Sequence, residues 1–471
     1  MNNALWRWDG ARIALSVAAR RVSAREVVEA CIARMRAVDP ALNSVTVDLS
    51  EQALADAERL DAAIARGEPA GPLAGVPVTI KENVDQAGLP TPNGVVAYRD
   101  LVATEDSPVV ANLKRAGAIV VGRTNTPAFS FRLDTVNDLR GRTHNPWRRG
   151  VTPGGSSGGA AASVAAGIVP IAHGNDIAGS VRFPAYCCGL YGLRPSFGRV
   201  PAYLSTAKAE RVISAQLMSV QGPLARSVRD LRLAIEAMSA RDARDPWWVP
   251  APLTGPPLPR RVAVVRDPAA LGSPSLSAAT ARALDDATGW LADAGYEVVD
   301  EASPGFAAAA RLWFDILVPE FRRFMQADFE RDGDEELRRS VRFLADLAPD
   351  LSADEHLKAL ARRTTLQREW WRFLDRVPLV LAPVSAAPPY AAGFDVESPE
   401  RTRRIWAECS TMIAVPVLGL PAVAVPTGVV DGLPAGVQIV GPRFREDACL
   451  DAAAAIEARS GMVGRTPIDP A

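Results

Sequence analysis

Short runs of β-branched residues, bounded by glycine or proline, recur between stretches of helical periodicity, and this alternation constrains the fold more than any other feature. Pro72-Leu-Ala-Gly-Val-Pro-Val-Thr-Ile-Lys-Glu-Asn83 reads as a turn and a short strand with Lys81 at its end. Residues 107–116 then read as a helix, 118–122 as a buried strand, 160–166 as a helix of small residues and 168–172 as a strand. Residues 262–265, 277–294 and 296–299 predict a βαβ unit, and helices fill much of 306–376. Strands return at 379–382, 422–425 and 437–440, the last two flanking an Asp431-Gly432 turn. Upstream, residues 10–38 and 51–65 are helical, with a Ser23-Ala-Arg-Glu26 capping box leading into apolar Val27, Val28, Cys31 and Met35. Such a pattern predicts an α/β fold, a mixed twisted β-sheet covered by α-helices on both faces.

Length alone would allow about three domains. Gly/Pro punctuation is spread evenly, however, with no internal repeat or low-complexity tract, so one domain over 1–471 is expected. A composition 48% hydrophobic and 23% charged can fill a core of that size. A formal net charge of −1 offers no basic field for a phosphate backbone, which argues against nucleic acid as a partner. Cys31, Cys187, Cys188, Cys409 and Cys449 are scattered, without metal-ligand spacing, and read as reduced thiols of a cytoplasmic protein. The start, Met1 to Asp9, has no basic region followed by an apolar core. The longest apolar run, residues 159–172, is interrupted by Ser163, Gly167 and Pro170 and falls short of the ~20 residues a bilayer needs, so no membrane span is expected.

Of 53 basic residues only Lys81, Lys114, Lys208 and Lys358 are lysine. A lysine kept inside an apolar segment of so arginine-rich a chain suggests a task arginine cannot perform, such as giving up a proton.

Gly154-Gly-Ser156-Ser-Gly158 matches the G-x-S-x-G nucleophile elbow, but it follows Arg148-Arg-Gly-Val-Thr-Pro153 rather than a buried strand, and only His173 and His356 lie downstream as bases. A phosphate loop is disfavoured because no G-K-[ST] follows. An isolated cluster of this kind is as readily a tight turn. This one is not isolated, since Ser180 lies 24 residues beyond Ser156, after Ile177-Ala-Gly179, and Lys81 lies 75 residues before it.

Gly154-Gly-Ser156-Ser-Gly-Gly, a Gly-Ser followed by x-Arg at 179–182, and the lysine of Gly-Val-Pro-Val-Thr-Ile-Lys-Glu-Asn together resemble the amidase signature family. The likeness extends to Thr143-His-Asn-Pro146, to Cys188–Val200 and to residues 419–441, and is least diagnostic over 205–400. It implies one α/β/α domain with a catalytic signature region at 67–200 and a more variable helical and βαβ part at 245–400. It also implies no metal or cofactor and a Ser-cisSer-Lys triad: Ser180 as nucleophile, Ser156 as bridging serine in a cis peptide, Lys81 as base. The roles are chemically coherent. A serine hydroxyl needs a base to take its proton, a buried lysine can be neutral enough to do so, and a hydroxyl can pass a proton between them. Main-chain N–H groups of Ile177, Ala178, Gly179 and Ser180 would form the oxyanion hole.

The chain departs from the family pattern at Ala178, where a glycine is usual, and at Asn175, where a Thr or Ser is usual. The hole then requires Ala178 at negative φ. Similar variants resemble hydrolases of synthetic linear and cyclic amides.

Asp176 and Arg182 read as a structural pair that fixes the nucleophile loop, and His144 and His173 as hydrogen-bonded loop residues. Cys187 and Cys188 read as buried fillers, and Trp247-Trp248 and Trp370-Trp371 as packing. Phe129 and Phe131 are candidates for an acyl or aryl pocket, with core packing as their alternative.

The reaction expected is hydrolysis of small-molecule carboxamides, aliphatic or aryl, through an acyl-enzyme, with carbamates (urethanes) open to the same apparatus, by a monomer or homodimer. A glutaminase subunit of a tRNA-dependent amidotransferase shares the signature but is disfavoured by Ala178 and by Val417-Leu-Gly-Leu-Pro421. A non-catalytic scaffold would be favoured had any triad position been lost, and all three are present.

Overall fold

Period-two patterning carries the sheet. In the strand Leu379–Pro383, Leu379 and Leu381 enter one apolar cluster while Val380 and Ala382 enter another on the opposite side. Val262 and Ala263 divide between the same two clusters. Both faces of the sheet are therefore buried, as helices on both sides demand. The computed structural model describes residues 5–467; Met1–Ala4, on which part of the leader reading falls, lie outside the described residues.

Eleven strands form one sheet: β1 (Val45–Asp48), β2 (Pro77–Lys81), β3 (Ile119–Thr124), β4 (Ile171–Asp176), β5 (Tyr191–Arg194), β6 (Val220–Ala225), β7 (Arg261–Val264), β8 (Glu297–Val299), β9 (Leu379–Pro383), β10 (Ala422–Val430) and β11 (Leu433–Val440). Their order is β1-β3-β2-β4-β6-β5-β10-β11-β9-β7-β8. Strand β2 runs parallel to β3 and β4, and β7 runs parallel to β8 and β9, whereas the centre from β4 to β9 is antiparallel. Seventeen α-helices accompany the sheet among the described residues, and the whole is a single domain. None of these helices is long and apolar enough to cross a membrane.

Local signals explain much of this. Ser23 and Glu26 form the capping box of the helix Ala24–Leu42, whose end is set by Asn43 in the left-handed region. The anticipated βαβ unit is present, with the helix Ala278–Asp293 between parallel β7 and β8. Two expectations shift. The strand leading to Ser180 spans 171–176 rather than 168–172, which puts His173, Asn175 and Asp176 on β4 instead of in a loop. An apolar criterion ends the strand too early because these polar side chains are buried against polar partners. The tryptophans also divide: Trp370 is 1% exposed and Trp248 is half-buried, whereas Trp247 is 42% exposed and Trp371 40%.

Parallel β2 and β4 end on the same side of the sheet, which brings Lys81 and Asp176, their last residues, to one edge. Open α/β sheets place their ligand crevices at such carboxyl ends.

Candidate active site

Lys81 is fully buried, and its Nζ lies 2.7 Å from Ser156 Oγ, 3.1 Å from Ser157 Oγ and 2.8 Å from Asn175 Oδ1. Burial holds its ammonium well below the ordinary lysine range, opposed in part by the carboxylate of Asp176. Thus the side chain is surrounded by groups that accept or exchange a proton.

Ser156 enters through a cis Gly155–Ser156 peptide. Gly155 is required by close approach, since a Cβ there would lie 2.5 Å from the carbonyl oxygen of Arg132. Thr135 Oγ1 ties the loop down on both sides, donating to the Gly154 carbonyl at 2.8 Å and accepting from the Gly158 amide at 3.2 Å. The helix Gly158–Ala165 follows directly and is buried throughout.

Ser180 sits just past β4, where Gly179 takes φ +96°. Asp176 organises this turn. Its carboxylate accepts from the Gly179 amide at 2.8 Å and from Arg182 Nε and Nη2 at 3.0 and 3.1 Å, while Arg194 Nη1 donates to its carbonyl at 2.5 Å. Burial alone would raise the Asp176 carboxyl, but Arg182 and Arg194 hold it below the usual carboxylate range. Asp176 and Arg182 form an ion pair whose side chains are fully enclosed.

Two details bear on the expected oxyanion donors. Ala178 is not among the residues at positive φ, so its backbone meets the condition set above. The Gly179 amide, in contrast, is already committed to Asp176. The Ala178 and Ser180 amides and the Ser180 hydroxyl have no hydrogen-bond partner among the described residues.

Ser156, Asn175, Ile177, Ala178 and Ser180 all line one cavity of about 630 Å³. Phe129 and Phe131 line it too. Their rings pack edge-to-face or tilted on Phe329 and Phe321 with centroids 5.0–5.3 Å apart. Trp313, Phe321 and Trp406 line it as well, as do Lys208, Arg211 and Arg244. Trp313 Nε1 also donates to the Ile177 carbonyl at 3.0 Å.

His173 bonds Gln221 at 2.8 Å, and burial pushes its pKa down to about 4, so it is neutral near pH 7 and remote from a base's role. The five cysteines are buried free thiols. No cluster of three or more metal-ligating side chains occurs among the described residues.

Sequence reasoning missed Ser157, Asn83 and Trp313. Ser157 was visible as the second serine of the Gly154–Gly158 run; Trp313 gave no signal, because nothing in a helical stretch says which aromatic faces a distant loop.

The amidase family model matches residues 26–450 of this chain. The chain belongs to the amidase signature family. An indoleacetamide hydrolase of Bradyrhizobium diazoefficiens is 46% identical over 463 residues, covering 98% of this chain and 88% of the relative. A solved bacterial aryl acylamidase of the same family superposes with a TM-score of 0.84 at 29% identity over 99% of each chain. A 6-aminohexanoate cyclic dimer hydrolase, solved with substrate, superposes with a TM-score of 0.83 at 27% identity, again over 99% of each chain. The family places this chain among amidohydrolases that act on small-molecule amides.

Proposed function

We propose that this amidase hydrolyses carboxamides bearing an aryl or other bulky apolar acyl group, using Ser180, Ser156 and Lys81. The observation that carries the reading is the buried Lys81 with Ser156 Oγ at 2.7 Å, Ser156 lining a cavity that Ser180 also lines.

Neutral Lys81 takes a proton from Ser156 as Ser156 takes the proton of Ser180, whose oxygen attacks the substrate carbonyl. The amides of Ala178 and Ser180, joined by Ile177, receive the developing oxyanion, while the Gly179 amide serves the loop. Collapse of the tetrahedral adduct breaks the C–N bond, and the proton returns through Ser156 to the leaving nitrogen. Water, deprotonated along the same path, then releases the acid from Ser180. No step calls for a metal or cofactor. The aromatic lining that includes Phe129, Phe131 and Phe321 suits a flat acyl group, a reading supported by the relative named for indoleacetamide. Carbamates present the same carbonyl to the same groups and are proposed as secondary substrates.

The test is product release from an arylacetamide, an anilide and a matched carbamate by wild type, Ser180→Ala and Lys81→Ala. Activity in wild type with losses of about 10³-fold or more in both variants supports the mechanism. Full activity in Ser180→Ala overturns it, and a carbamate rate above both amides overturns the assignment of substrate class.

A further inference from the structure

Lys81 Nζ has three oxygen neighbours, yet a neutral amine has only two hydrogens to donate. Asn175 Oδ1, at 2.8 Å, can only accept. Its orientation is fixed from behind, because Asn175 Nδ2 donates to Asn83 Oδ1 at 3.0 Å. The pattern continues: Asn83 Nδ2 donates to Ser130 Oγ at 2.9 Å, and Ser130 Oγ donates to Asn93 Oδ1 at 2.6 Å. Every link from Lys81 to Asn93 runs in one donor direction, and turning Asn175 or Asn83 over would set two donors or two acceptors against each other where the two amides meet. Ser130 stands between the two cavity-lining phenylalanines, and both Phe129 and Ser130 are held at positive φ, +54° and +55°.

We infer that Asn175 is a positioning residue for Lys81, and that the chain through Asn83 and Ser130 couples the base to the loop that carries Phe129 and Phe131. This rests on Lys81 acting as base. With Asn175 Oδ1 taking one N–H and Ser157 Oγ the other, the lone pair is left for the hydroxyl of Ser156. The proton path then has a single direction. Leucine at 175 would keep the volume but free one N–H to compete for Ser156, and threonine could not span to both Lys81 and Asn83. Pocket occupancy reaches the base through the Ser130 hydroxyl, so the acyl group influences acylation rate as well as binding.

The electrostatic surroundings make a pH profile informative. Asp176, at the end of β4, favours the ammonium of Lys81. His173 on the same strand is neutral above a pKa of about 4, and Glu82, next in the chain, is paired with Arg140 at 3.2 Å. A carboxylate at 175 would add a second anion beside the base.

The experiment is labelling of Ser180 by an aryl fluorophosphonate across pH, on the full chain. In labelling, the Ser180 oxygen bonds phosphorus, fluoride leaves, and the serine proton passes to Lys81. Asn175→Leu is expected to slow labelling at pH 7 by at least about tenfold. Asn175→Asp is expected to move the midpoint of the rate profile upward by about one pH unit or more. Ser130→Ala is expected to slow labelling a few-fold, with melting temperature close to wild type. Wild-type rates and midpoint in both Asn175 variants overturn the inference. If neither Asn175 variant folds, Ser130→Ala decides it: a slowed rate supports the coupling and a wild-type rate overturns it. Lys81→Ala and Ser180→Ala separate the two levels. Labelling in either at the wild-type rate means the reading of the base or nucleophile has failed, whereas silence in both with unaffected Asn175 variants means only this inference has.

Discussion

The indole N–H of Trp313, on the helix Ala307–Phe324, donates to the carbonyl of Ile177 at 3.0 Å and so fastens that helix to the loop before Ser180. Trp313 is 1% exposed and stacks on Trp406 at 5.1 Å, so its ring is held from the other side as well. Trp313→Phe keeps most of the packing and removes the donor. The expected outcome is a stability loss of about 1–3 kcal/mol from the unpaired carbonyl, read by urea denaturation. Labelling of Ser180 is expected to slow several-fold, because the same peptide segment carries the proposed oxyanion amides. An unchanged labelling rate would mean the loop holds its shape without Trp313.

Asp176 and Arg182 are both enclosed, and the pair makes hydrogen bonds at 3.0 and 3.1 Å. Arg182→Met leaves the carboxylate with Arg194 and two amides, an incompletely compensated buried charge. The expected cost is about 3–5 kcal/mol. Because the folded carboxyl lies below its ordinary value, its stabilisation is present above the unfolded pKa of about 3.9 and lost as pH falls toward the folded value. Wild type is therefore expected to lose melting temperature through that acidic window more steeply than Arg182→Met, which has already given up most of the term.

Lys81 shows the opposite linkage. Its folded pKa is depressed by burial, so between the folded value and the unfolded value of about 10.4 the unfolded chain binds the extra proton. Stability owed to this group rises with pH across that window, and below it the full penalty is present. Lys81→Met is expected to be inactive yet to gain melting temperature relative to wild type at pH 7, with the gain shrinking toward pH 10. A gain that does not depend on pH would place its origin in packing rather than in the buried charge.

The parts legible from the sequence are those set locally. The Ser23 capping box, the βαβ unit and the strand ending at Lys81 each follow from patterns within a few residues, and the structure has them. The placing of Lys81 beside Ser156 came from joint spacing and a family likeness, since residues 75 apart say nothing of contact by themselves. Asn175 was visible as a departure, but its partner Asn83 was not, because a hydrogen bond across 92 residues depends on β2 and β4 lying side by side. Strand β6, whose Gln221 holds His173, was hidden for the same reason: its polar positions are satisfied by partners the sequence does not name.

Phe131 offers a test of what the aromatic lining of the cavity does. Its ring lies 5.3 Å from Phe321 and 5.1 Å from Phe329, while its backbone follows Ser130, the last hydroxyl of the chain that begins at Lys81. If the ring contacts the acyl group, Phe131→Ala removes binding worth about 1.5–3 kcal/mol, which is roughly 10- to 100-fold in KM for an arylacetamide. It would leave KM for acetamide, which has no ring to bury, nearly unchanged. If the ring instead holds the loop, the loss appears in kcat for both substrates, because displacement of Ser130 reaches Lys81 through Asn83 and Asn175. The first pattern is expected, since a ring already packed on two neighbours leaves the loop's positive-φ backbone and the Ser130 hydrogen bonds to keep its course.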